Sequence, residues 1–191
     1  MKNTLQFLIL LIFIGCSKYS EGQTKNNSIK YFEETNFKNI KEEYIQKQVN
    51  IKNQKIDIDL SFDNLKPNET ELTNLNQFLT QLEKILLSNE NRMKIDFKKS
   101  DINDSVSEYI SHHLQEISEK ELSKIIDIND KSKSNEEKLF EKLKIRRIGI
   151  YPQDKFQFAV FDYTIGTDYT QYLLCIKTDS KGKILEMTIE S

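Results

Sequence analysis

Polar and apolar residues alternate one by one in two separated blocks of this chain, and between those blocks the apolar positions recur every three or four residues. In the first block, Val49 and Ile51 alternate with polar neighbours, Asn53-Gln54 supplies a turn, and Ile56, Ile58, Leu60 and Phe62 alternate with Asp57, Asp59 and Ser61. A two-residue period sends successive side chains to opposite faces, so this block predicts a β-hairpin with one buried face. Upstream, Tyr31, Phe32, Phe37 and Ile40 within residues 29–42 suit either a short amphipathic helix or a wrapping strand.

Pro67-Asn68 ends the hairpin, and Asn68 with Glu71 three residues on forms a capping-box pattern. Leu72, Leu75, Phe78, Leu79, Leu82, Ile85 and Leu86 then make one apolar stripe, which predicts a helix. A shorter helical piece is expected over 91–99 with Met93 and Phe97. A third helix begins near Asp104, a suitable cap, with Val106, Tyr109, Ile110, His113, Leu114 and Ile117 on one side. Leu122, Ile125 and Ile126 continue the helical spacing, residues 131–135 are polar and loop-like, and 136–143 are helical through Leu139, Phe140 and Leu143.

The period then returns to two. Strands are expected over 145–151, ended by Pro152, over 156–165, broken by Gly166, over 169–178, and over 183–190 after an Asp179-Ser180-Lys181-Gly182 turn. Sequential strands joined by short turns pair antiparallel. The expected fold is therefore α+β: an N-terminal β-hairpin, a helical middle and a C-terminal four-stranded antiparallel meander with helices on one face.

The chain's start carries a different pattern. Lys2 precedes an unbroken apolar run from Phe7 to Ile14, followed by Gly15 and Cys16. A positive charge, a short apolar core and a small residue directly before a cysteine are the parts of an exported precursor. The segment Ile12-Phe13-Ile14-Gly15-Cys16 resembles a bacterial lipobox, with Phe13 in place of the usual leucine, and the resemblance implies removal of residues 1–15 and acylation of Cys16. The alternatives are a transmembrane anchor, for which the run is shorter than the ~20 residues needed, and a cleaved signal peptide with an incidental cysteine. Several acyl chains would hold the mature protein on a membrane. By the same resemblance to sorting rules, Ser17 after the cysteine favours the outer membrane of the bacterial cell envelope. Residues 16–28 then form a polar tether, spanning roughly 30–40 Å at ~3.3 Å per residue if extended, and 29–191 a single α+β domain.

Composition narrows the function classes. The chain has 28 basic and 30 acidic side chains, and loss of Lys2 with the leader leaves a net charge of −3. No strong field for nucleic acid remains, so no nucleic-acid partner is expected. With Cys16 acylated, Cys175 has no intramolecular partner, and its apolar setting in Tyr172-Leu173-Leu174-Cys175-Ile176 suits a buried, unreactive thiol.

Candidate chemistry is sparse. His112 and His113 are adjacent and diverge by ~100° on a helix, which suits a core or rim position better than a shared metal. The chain lacks HExxH, a P-loop and GxSxG. Asp57, Asp59 and Asp63 form an acidic stripe without the glycine and terminal glutamate of a calcium loop. No cofactor, metal site or catalytic residue is expected. Asp162, Tyr163, Thr164 and the following Asp168 form a possible binding edge, with Asp162 and Thr164 on one face and Tyr163 on the other, against ordinary strand-end hydrogen bonding with Gly166 in a positive-φ turn. Arg147 and Tyr151 share a strand face across Gly149 and suit an anionic group, against cross-strand pairing of Arg147 with an acid.

Ile56–Phe62 before a Leu-rich helix, Lys-Ile-Arg-Arg-Ile-Gly-Ile-Tyr-Pro within 143–152, Phe-Ala-Val-Phe-Asp-Tyr-Thr-Ile-Gly over 158–166 and the closing Met-Thr-Ile-Glu-Ser together resemble a bacterial family catalogued as a domain of unknown function. The resemblance covers Tyr44 to Ser191, implies an α+β fold and supplies no catalytic residues. The expectation for function is a membrane-anchored extracytoplasmic lipoprotein carrying a non-enzymatic protein- or ligand-binding domain, immunity-like or scaffolding. The alternative is a small envelope hydrolase or ligand-binding enzyme using Asp162, Tyr163 and Arg147 in one cleft.

Overall fold

The two alternating blocks meet in one mixed sheet of six strands, in the order β1-β2-β3-β4-β5-β6. The computed structural model describes residues 28–99 and 105–191. The leader, Cys16, most of the tether and Asp104 lie outside the described residues.

Strands β1 (Tyr44–Ile51) and β2 (Gln54–Ser61) form the hairpin, with Val49 opposite Ile56 and Lys47 opposite Ile58. Its turn is Lys52-Asn53, one residue earlier than expected, with φ of 49° and 64°. Two consecutive left-handed residues match the right-handed twist of a two-residue hairpin, and asparagine tolerates that conformation. Residues before β1 form neither of the expected elements: they wrap the core through buried Ile29, Phe32 and Phe37, with one 3-10 turn at Phe37–Asn39.

Helix α1 (Glu69–Thr80) starts with the complete capping box, in which Asn68 accepts the Glu71 N–H and Glu71 accepts the Asn68 N–H. The single apolar stripe then crosses a break. Gln81 leaves helical geometry at φ −95° and ψ 5°, and α2 (Leu82–Lys99) continues through the residues expected to form a separate piece. The Thr80 hydroxyl donates to the Asn76 carbonyl one turn earlier, a back-bond that favours bending. Leu75, Phe78, Leu79, Leu82, Ile85 and Leu86 all stay buried across it.

Helices α3 (Ser105–Glu116), α4 (Glu119–Ile125) and α5 (Asn135–Phe140) follow. Ser134 and Glu137 make a second capping box, so α5 begins at the last residue of the expected loop. Lys138, 7% exposed, donates its ammonium to the carbonyls of Asp127 and Asp130 and closes that loop over the core.

Strands β3 (Lys144–Ile150), β4 (Ala159–Thr164), β5 (Leu173–Thr178) and β6 (Ile184–Glu190) form the antiparallel meander. The hairpin is not separate from it. β2 pairs parallel with β3, Ile58 against Ile148 and Leu60 against Ile150. A parallel pair requires a long crossover, which the helical middle provides.

Alternation divides the sheet into two faces. One carries Ile58, Leu60, Ile148, Ile150, Phe161, Tyr163, Leu174 and Ile176 and joins Leu75, Phe78, Tyr109 and Ile110 of the helices in a single core. Each such side chain contributes about 1.5–3 kcal/mol when fully buried. The opposite face includes Val160 and Cys175, which are buried yet stand outside that core cluster. Among the described residues no helix is long and apolar enough to cross a membrane.

Candidate functional site

The opposite face concentrates the polar chemistry, and a β-bulge puts it there. The register of β3 against β4 shifts between Ile145 and Arg147. Ile145 and Ile148, three residues apart, therefore both reach the core, while Arg147 is turned to the other face. There Arg147 lies between its cross-strand partners Asp57 on β2 and Asp162 on β4.

Arg147 is clamped by two carboxylates. Its Nε donates to Asp59 Oδ2, and its Nη1 donates to Asp162 Oδ2 at 2.8 Å. The Asp59 and Asp162 side chains are 2% and 4% exposed, whereas Arg147 remains 37% exposed. Burial by itself disfavours the charged guanidinium, but the hydrogen bonds and charges of the two carboxylates overcome it and raise the Arg147 pKa above its ordinary value. Asp162 Oδ1 in turn accepts the Cys175 thiol at 3.3 Å. Burial, reinforced by the Asp162 charge, pushes the Cys175 pKa well up, so the sulfur is held as a thiol and no nucleophile is set up.

Gly149 makes room for this packing. A Cβ there would sit 3.0 Å from the Tyr151 hydroxyl oxygen and 3.2 Å from Arg147 Nη2, so its absence lets phenol and guanidinium close over the strand. Tyr44, 48% exposed on β1, stands near Asp59, and burial together with that carboxylate raises its phenol pKa. Asp59 Oδ1 is buried without a hydrogen-bond partner. Two carboxylates, Asp59 and Asp162, thus hold one guanidinium, framed by Tyr44 and Tyr151, while the Asp57 carboxylate, in register beside Arg147, accepts from Gln48.

Of the residues given a binding role from the sequence, Asp162, Arg147 and Tyr151 converge here. The rest do not. Tyr163 faces the helices, as alternation requires, so Asp162, Arg147 and Tyr163 share no cleft. The Thr164 hydroxyl accepts the Gly166 N–H at 3.1 Å, and Gly166 has φ 133°, the strand-end arrangement weighed against a binding role. Asp168 is exposed in the β4–β5 connection and is not an Arg147 partner. Arg147 itself shows the cross-strand acid pairing. Sequence reasoning missed Asp59, Cys175 and Tyr44 as its neighbours, although the 145–148 spacing of isoleucines is a signal for the bulge.

His113 is a core residue. It is 2% exposed, with Nδ1 2.6 Å from the Tyr109 carbonyl and Nε2 2.8 Å from the Thr170 hydroxyl. A carbonyl only accepts, so Nδ1 carries the proton and Nε2 accepts from Thr170 in the neutral ring. Burial lowers the His113 pKa. Among the described residues no group of three or more histidine, cysteine or acidic side chains is placed to hold a metal ion. Phe156, 90% exposed in the β3–β4 loop, borders a groove of about 710 Å³ against the start of α1.

No family model, no curated protein and no solved structure matches this chain.

Proposed function

We propose that this chain is a lipoprotein of the bacterial cell envelope, acylated at Cys16 and tethered to the outer membrane, whose domain binds a protein partner through the sheet face opposite the helices. Its work is binding and not catalysis. The observation that carries the reading is the Arg147 cluster: a guanidinium fixed by two buried carboxylates and flanked by Tyr44 and Tyr151, on a face that stands outside the helical core. Arginine and tyrosine are the side chains that dominate binding energy at interfaces, and rigid placement reduces the entropy lost on association. The local excess of carboxylates, with the half-buried Asp57 in register beside Arg147, favours a partner that presents a lysine or arginine. Tyr163 packed in the helical core, on the other face from Asp162 and Arg147, argues against the hydrolase alternative, which needs the three in one cleft.

The test is photo-crosslinking in intact envelopes with the full chain. A benzoylphenylalanine at position 44 or 151 is expected to trap one protein, in a manner weakened by salt, while the same group at Leu87, equally exposed on α2, traps none. Equal products from all three positions, or none from the sheet face, would overturn the binding surface. The anchor is tested separately: Cys16→Ala is expected to release a folded protein from the membrane fraction, and unchanged partitioning would sink it.

A further inference from the structure

The outward side of α2 carries a pattern that core packing does not explain. Leu87 and Ile95 are large apolar side chains left 48% and 54% exposed. At ~100° per residue they project with Lys84, Lys94 and Lys98 into one arc of roughly 120°, with only the neutral Ser88 and Asn91 between them. All of these residues are exposed, and no acidic residue of α2 falls on the arc. In a chain with 30 acidic against 28 basic side chains, such a face is a local reversal of charge. Glu83 and Glu90 stand beyond Lys94 on one flank. The other flank has Arg92, paired with Asp96 at 3.7 Å, and the Lys181-Gly182-Lys183 turn, whose glycine abuts Ile85.

The body of α2 lies between this face and the sheet. Asn89 points roughly 160° away from the middle of the arc and stands beside Tyr163 of β4, while Leu82, Ile85, Leu86 and Met93 are buried in the core. The lysine-bearing face therefore looks away from the sheet, and the Arg147 cluster, on the sheet's far side, looks the opposite way. The described chain begins in the helical layer: Ile29 and Phe32 are buried, and the Lys30 N–H donates to Asn76 Oδ1 of α1 at 3.1 Å. The tether thus joins the domain on the helix side.

We infer that the outer face of α2 docks on a bilayer containing anionic phospholipid, with its lysines at the headgroup phosphates and Leu87 and Ile95 at the acyl boundary. Lysines set around exposed apolar residues on one helix face suit the membrane interface, and each lysine near an anionic surface adds an attraction that salt weakens. The inference rests on the membrane anchoring proposed above. A tether keeps the face at a high local concentration of lipid, so a weak intrinsic affinity suffices. Docked in this way, the domain holds the Arg147 cluster away from the bilayer, where a protein partner can reach it.

The chain has no tryptophan, so a single introduced one is a unique reporter. The full chain carries either Leu87→Trp or Gln46→Trp, the latter at an exposed position opposite Asp59 on the open sheet face. Each is returned from detergent to vesicles of brominated phosphatidylcholine, with or without phosphatidylglycerol, and followed by flotation and fluorescence. The expected result is flotation on both vesicles, with emission from position 87 quenched at least about two-fold on the anionic vesicles alone and emission from position 46 unquenched on either. Lys84→Glu combined with Lys98→Glu is expected to abolish that quenching with the thermal melt unchanged. Flotation without quenching at position 87, or equal quenching at both positions, overturns the docked face and leaves the anchor standing. Flotation on anionic vesicles alone, with quenching at position 87, supports the face and sinks the anchor. No flotation overturns both. Equal quenching on the two vesicle types would also overturn the inference, and that comparison does not depend on the lysine variants.

Discussion

Arg147 Nη1 and Asp162 Oδ2 lie 2.8 Å apart across β3 and β4, with the carboxylate side chain 4% exposed and the guanidinium 37% exposed. Such a pair is asymmetric under mutation. Arg147→Met leaves both Asp59 and Asp162 buried without their cation, whereas Asp162→Asn keeps the Asp59 pair and an uncharged acceptor. Breaking a fully buried pair costs ~3–5 kcal/mol, and solvent around the exposed guanidinium reduces that. Arg147→Met is therefore expected to cost roughly 2–3 kcal/mol and Asp162→Asn about 1 kcal/mol. Urea unfolding at neutral pH gives both values, and the reverse order would contradict the clamp.

Cys175 is expected to be inert in the folded protein. Its thiol is 1% exposed and donates to Asp162, and burial with the adjacent carboxylate holds its pKa well above the ordinary thiol range. Iodoacetamide at pH 8 is expected to label it only after denaturant unfolds the domain. Labelling at the rate of a free thiol under native conditions would place the sulfur in a different environment.

His113 links stability to pH. Its folded pKa is lowered, chiefly by burial, so on acidification the unfolded chain takes up the proton before the folded chain does. Groups facing the ring are the Tyr109 carbonyl, the Thr170 hydroxyl, His112 and Tyr172. The contribution is fully present above the unfolded histidine pKa of ~6.5 and is lost as pH falls below it, by at most about 1.4 kcal/mol per pH unit. Urea midpoints are expected to be flat from pH 8 to 7 and to fall from 6.5 to 5.5. The same fall in a His113→Gln variant would assign the effect elsewhere.

Gly182 and Ile85 join the last turn to α2. Gly182 has φ 77°, and a Cβ on it would meet Ile85 Cγ1 at 2.5 Å. Gly182→Ala thus combines a left-handed backbone penalty with overpacking, about 1–3 kcal/mol. Adding Ile85→Ala is expected to cost less in that background than in the parent protein, because it removes the clash. Additive losses in thermal melts would mean that backbone strain alone accounts for the effect.

The elements were legible from local pattern. Two-residue alternation located the hairpin and the meander, the Asn68/Glu71 spacing placed the start of α1, and the stripe through Leu72 to Leu86 marked the buried side of α1 and α2. Boundaries were less legible. Gln81 interrupts a stripe that periodicity shows as continuous, because the bend preserves which residues are buried. The strands over 156–165 and 169–178 shrink to Ala159–Thr164 and Leu173–Thr178, because β-propensity does not reveal where pairing partners end.

Alternation also determined, with no structure, that Asp162 and Tyr163 face opposite ways and that Arg147 and Tyr151 share a side, because the side-chain period of a strand is a local property of its backbone. Which strands lie next to one another was decided only by tertiary structure. Parallel pairing of β2 with β3 brings Asp59 to Arg147 across 88 residues of chain, and the bulge between Ile145 and Arg147 selects the face on which they meet. Both depend on the helical crossover burying its apolar stripe on one side of the sheet, a non-local balance of packing and chain entropy that no local pattern records.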